Sequence, residues 1–255
     1  MPTVFELIKE DFKAELDAIR LLVETFDVSE KPPKARAAAV NSATLLVAAT
    51  FEEYIRQSAR EFARLVVTNT ASLGDLPKGL SATAWRRAMQ RLAKVRFDSE
   101  DQQTRNALLL GVETTFSAVR DFVRGDLTKD IYSDLIHNEN NMRPDELNAM
   151  FKVSGLTNVC VKLCEIQPIK DHFDEAEQEK AHGKLRMALD ELMERRNRVA
   201  HALNPNSFTG ASQIKRDLDM LGALASSLCQ VLDAATGPAP TPPVIEPTPA
   251  LPPEA

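Results

Sequence analysis

The chain has 255 residues, enough for one large domain or two small ones, and its 44% hydrophobic and 27% charged content is ordinary for a soluble globular protein. A formal net charge of −6 and a pI near 5.4 exclude a general electrostatic grip on nucleic acid over the whole surface, so any such contact must be local. Only 9 glycines set against recurrent Ala, Leu, Glu, Lys and Arg favour helix over sheet.

In chain order, Phe5, Leu7, Ile8, Phe12, Leu16, Ile19 and Leu22 recur at helical spacing and predict an amphipathic helix over 3–26. The stretch SEKPPK breaks it. A longer helix is predicted from about Ala35 to Thr68, striped by Ala43, Val47, Phe51, Ile55, Ala59, Phe62 and Val66. NTASLGDLPKGLS reads as a loop, and Ser81 is placed to cap a basic helix, ATAWRRAMQRLAKVR. A further helix is expected over 103–123, then a short apolar piece, DIYSDLI. Arg143-Pro144 opens another helix with Asp145 and Glu146 in its first turn, and Gly155 closes it. LTNVCVKLCEI is a short helix or a buried segment. A long helix runs from about Ala176 to Leu203, where Asn204-Pro205 stops it, because the residue before proline disfavours the helical region. A last helix covers 212–235. No period-two alternation is long enough for a sheet.

The remaining segment, 236–255, holds eight of the chain's 15 prolines and is expected as a disordered, polyproline-like tail. Its PxxP spacings leave an adaptor role conceivable, with a passive spacer as the plainer reading. The predicted organisation is therefore one helical domain over 1–235 followed by this tail. The three cysteines, with no apolar leader in MPTVFELIKEDFK, suggest reduced thiols and a cytoplasmic protein. Cys160 and Cys164 read as buried thiols rather than a metal pair. The longest apolar run, ATLLVAATF, is too short to span a bilayer, so no membrane contact is expected.

MERRNRVAHALNP, the end of the long helix, raises the functional question: three arginines, an asparagine and a histidine precede a stop. Each residue turns about 100° around a helix axis. Leu185, Ala188, Leu189, Leu192, Val199 and Leu203 define an apolar face with Arg196 in its middle, a costly place for an unpaired charge. Arg195 and Arg198 are expected to point away from that seam. Asn197 and His201, four apart, stack on a neighbouring face. Arg196 and His201 lie roughly 140° apart on a straight helix, so they share a site only if the arginine curls round or a second copy supplies its own motif across a dimer. The plainer reading makes Arg196 a buried salt-bridge residue and His201 a partner for the helix dipole.

Arg196-Asn197-Arg198-Val199-Ala200-His201 resembles the R-polar-x3-H signature of the HEPN superfamily, all-helical proteins many of which are ribonucleases. LLVAATFEEYIRQSAREFA and HNENNMRPDELNAMFKVSGL are similar to the larger branch called MAE-like or RiboL-PSP-like. The matching stretches span roughly Ala39 to Leu203. The resemblance implies an all-α, HEPN-like helical bundle with extra helices. It further implies metal-independent RNA cleavage by the ribose 2′-OH, without cofactors, with Arg196, Asn197 and His201 as the catalytic set. His201 would move protons, Arg196 would hold the phosphate, and Asn197 would orient His201 or donate to a phosphate oxygen. Glu52 resembles the branch's early-helix glutamate, placed to pair with Arg196 or orient His201; a solvated helix face is its other reading, and Glu53 and Arg56 read as surface.

Two basic runs are the candidate RNA-binding surfaces: Arg195 and Arg198 beside the motif, and Arg87, Arg91 and Lys94 in WRRAMQRLAKVR, where Trp85 is expected in the core. The polar loop IHNENNMR could line a site, but Asn-rich turns need no ligand. The functional expectation is a homodimeric endoribonuclease serving as the toxin or effector of a toxin–antitoxin or anti-phage system, with an antitoxin or defence protein as partner. Its alternative is a non-catalytic HEPN-like scaffold whose motif is an interface ion pair.

Overall fold

A computed structural model of the protein describes residues 2–98, 100–137, 141–201 and 210–237. The expected stop at Asn204-Pro205, the middle of the asparagine run and the proline-rich segment past Gly237 lie outside the described residues.

Helix α1 (Val4–Phe26) starts at a capping box: the Thr3 hydroxyl accepts from the Glu6 N–H at 3.1 Å, and the Thr3 N–H donates back to the Glu6 carboxylate at 2.8 Å. Its buried face is Phe5, Ile8, Phe12, Leu16, Ile19 and Val23. Helix α2 (Pro33–Thr68) begins two residues before the expected start, since proline is suited to a first helical turn. It returns antiparallel to α1, with Tyr54 stacked on Phe12 at 4.2 Å between ring centroids. Helix α10 (Ala211–Thr236) lies on both, fixed by Arg20–Asp219 at 2.6 Å and by the Tyr54 hydroxyl donating to the Ala225 carbonyl at 3.3 Å. By length and composition α10 could cross a membrane, yet more than half of that stretch is buried against its neighbours as a core helix. Helix α9 (Gln178–His201) packs along α2 and is tied to α10 by the Arg195–Asp217 ion pair.

Helices α3 (Leu80–Leu92) and α4 (Gln102–Val123) form a hairpin at the side of this core, joined to it through the short α5 (Tyr132–Leu135). Ser81 does not cap α3. Gly79 does so in a left-handed conformation, φ +88°, which a residue without a Cβ adopts freely. Trp85 is not in the core either. The small residues Ala84 and Ala88 with Leu80 make the buried stripe of α3, which leaves Trp85 37% exposed over Phe116.

Three short helices cover the rest of α9: α6 (Pro144–Lys152), α7 (Val159–Leu163) and α8 (Gln167–Phe173). The expectations for α6 and α7 hold, with Gly155 at φ +95° closing the first. The sequence reading missed α8, although Pro168 in its first turn was the available signal. Cys160 and Cys164 are buried free thiols, pushed up by burial to about 12 and about 11 respectively. No strand occurs among the described residues.

Candidate functional site

Along α9 the buried residues are Ala181, Leu185, Leu189, Leu192 and Met193, on a helix that packs against α2, α7 and α8. The next position inward is occupied by Arg195, not Arg196. The Arg195 guanidinium reaches Asp217 of α10 at 2.6 Å and Glu191 at 3.6 Å; its side chain is 11% exposed and that of Asp217 5%. Gln213 donates to the same Asp217 oxygen at 3.0 Å. The expectation that Arg195 points to solvent is thus corrected. A carboxylate on α10 draws it inward, and the periodicity of α9 alone carries no trace of that partner. Burial raises the Asp217 carboxyl pKa, with Arg195 opposing.

Arg196 is half-buried and donates to the Asn197 amide oxygen at 3.2 Å. The same oxygen accepts from the Asn141 side-chain amide at 2.9 Å. Arg143, two residues on, bridges Asp190 at 3.1 Å and Glu194 at 3.4 Å on α9. Arg198 and His201 are exposed on the last turn. Sequence reasoning named the loop holding Asn141 and Arg143 but took it for a connector; its position against the motif is a tertiary fact.

Glu52 is a largely buried carboxylate, 13% exposed, whose charged partner is Arg56 at 3.8 Å. Its other oxygen is buried without a hydrogen-bond partner. The expected pairing with Arg196 or His201 is not made, because Arg56 stands one turn away on the same helix while the Arg196 guanidinium turns to Asn197. Arg56 is itself half-buried, holding both Glu52 and Glu53, rather than a plain surface residue.

The α3 cations divide. Arg87 is half-buried and donates to the Leu135 carbonyl, where α5 ends. Arg91 pairs with the buried Asp134 at 2.8 Å and donates to the Thr115 hydroxyl at 2.8 Å. Both tie the hairpin to α5 and α4, while Lys94 and Arg86 are exposed. Among the described residues no cluster of three or more His, Cys, Asp or Glu side chains is placed to hold a metal ion.

The arrangement gathers an exposed imidazole, a fixed amide and a guanidinium onto the last two turns of one helix. Those groups can move a proton and stabilise an anionic phosphate. A family model described as RiboL-PSP-HEPN matches residues 10–234, and the chain belongs to that family. Membership points in general terms to an RNA-related, nuclease-type function. No curated protein and no solved structure matches the chain.

Proposed function

We propose, from the premise of RiboL-PSP-HEPN membership, that the protein is a metal-independent endoribonuclease. The observation that carries the reading is the placement of Arg196, Asn197 and His201 at the exposed end of α9. In the reaction the ribose 2′-oxygen bonds to the adjacent phosphorus while the bond from phosphorus to the 5′-oxygen breaks. The 2′-OH proton passes to a base and the leaving 5′-oxygen takes one from an acid, and an imidazole suits either step near neutral pH. The products are a 2′,3′-cyclic phosphate and a 5′-hydroxyl. Arg196 stabilises the charge that builds on the phosphate oxygens, and Arg198 and Lys94 are exposed cations that can follow the RNA backbone.

The protein works as a homodimer through α9, so that two motifs face one another, and it acts in the cytoplasm as the toxin or effector of a toxin–antitoxin or anti-phage system, restrained by a partner protein. A second reading, a non-catalytic scaffold, is favoured by one feature: the Arg196 guanidinium is engaged with the Asn197 amide oxygen, as a structural arginine would be. Induced expression separates the two. The nuclease reading expects growth arrest with degraded cellular RNA, and sedimentation as a dimer. Harmless expression with intact RNA sinks it and leaves the scaffold.

A further inference from the structure

The face of α9 that meets the 141–143 loop has a regular register. Asp190, Glu194 and Asn197 fall at i, i+4 and i+7, which places them on one side of a helix, and the next residue of that row is His201. Arg143 takes the first two of these and Asn141 the third. Met142, between Asn141 and Arg143, is buried in the core. Residues 141–143 therefore sit against α9, one helical turn short of His201.

Its last contact decides how Asn197 is turned. A guanidinium only donates hydrogen bonds, so the atom of Asn197 that faces Arg196 must be its oxygen. Asn141 then donates to that same oxygen, since the opposite orientation of the Asn141 amide would set two oxygens against each other. With two donors on its oxygen, Asn197 has only its N–H groups left to offer, and among the described residues they make no hydrogen bond. The sequence leaves two roles open for Asn197, orienting His201 or donating to a phosphate oxygen. With its oxygen shared by Arg196 and Asn141, Asn197 can fill either only as a donor.

We propose that Asn141 is a positioning residue for the motif, sharing the Asn197 amide oxygen with Arg196 so that Asn197 meets the scissile phosphate as a hydrogen-bond donor. The inference rests on the ribonuclease reading above. Asn141 touches no reacting atom; it acts through Asn197, and Arg143 holds the loop that carries it.

The test is a double-mutant cycle on the full chain, using single-turnover cleavage of a defined RNA and the side-chain amide NMR signals of Asn197, assigned by their loss in Asn197→Ala. Asn141→Ala is expected to slow cleavage on the order of tenfold to a hundredfold, the scale of a small misplacement at a reacting centre, with little change in KM. In the Asn197→Ala background, removing Asn141 should add nothing. Asn141→Asp keeps the side-chain shape and removes the donor, so it should match or exceed the alanine effect and serves as the variant if Asn141→Ala does not fold. Wild-type cleavage by Asn141→Ala, or an equal loss with and without Asn197, overturns the proposal. If the unaltered protein cuts no RNA, the ribonuclease reading fails separately and NMR decides the positioning: displaced Asn197 amide signals in Asn141→Ala sustain it, and unchanged ones end it.

Discussion

Replacing His201 with alanine is expected, on the proposed nuclease function, to lower RNA cleavage by about 10²- to 10⁴-fold, the usual contribution of a positioned acid or base. Folding stability should stay within about 0.5 kcal/mol of the parent, as for a surface substitution away from special features. The separation of the two effects follows from the structure, in which His201 is exposed on the last turn of α9. Arg196→Ala should also suppress cleavage by about 10²- to 10³-fold, through lost stabilisation of phosphate charge. Arg196→Lys should recover only part of it, because an ammonium cannot hold a phosphate and the Asn197 oxygen with one planar fork. Single-turnover rates beside thermal melts check both. A His201→Ala protein that cuts RNA normally removes the residue from the mechanism, and one that melts far below the parent makes it structural.

The second large effect falls on the neighbouring arginine and has the opposite character. Arg195→Ala strands the Asp217 carboxylate in the core, 5% exposed, with Gln213 as its remaining hydrogen-bond donor. Removing one partner of a buried pair costs about 3–5 kcal/mol. At about 2–4 °C per kcal/mol for a chain of this size, Tm should fall by roughly 10 °C. Replacing both members, Arg195→Met with Asp217→Leu, should recover most of the loss, since apolar side chains of similar volume need no partner. Urea or thermal unfolding of the two variants distinguishes this from a solvated arginine, for which Arg195→Ala would be nearly neutral. Adjacent arginines thus have different surroundings: Arg195 ties α9 to α10, and Arg196 meets Asn197 of the proposed motif.

That division marks the limit of what the sequence discloses. The long helices were legible because Phe5 to Leu22 and Ala43 to Val66 repeat at helical spacing over many turns, although Leu7 is exposed and the buried faces end on Val23 and Val67. The inward arginine was misassigned by one residue. Periodicity within α9 favours Arg196, whereas Asp217, 22 residues on in α10, decides for Arg195. Trp85 was expected inside because tryptophan is usually well buried, but Ala84 and Ala88 bring α3 close on the adjacent face instead. Asn141 was overlooked for the same kind of reason: nothing near it in the chain reveals that Asn197, 56 residues on, lies within hydrogen-bond distance. Glu52 lies on a largely buried rather than a solvated helix face, and the partner that neither reading named is Arg56.

The central claim is tested most directly by the chemistry of the cut ends. A defined RNA is incubated with the purified protein in EDTA and its fragments are mapped by mass spectrometry. Attack by the 2′-OH predicts 2′,3′-cyclic phosphates and 5′-hydroxyls, and no cutting at all of the same strand carrying 2′-deoxy sugars. Fragments with 5′-phosphates, or cleavage of the deoxy strand, would contradict the account.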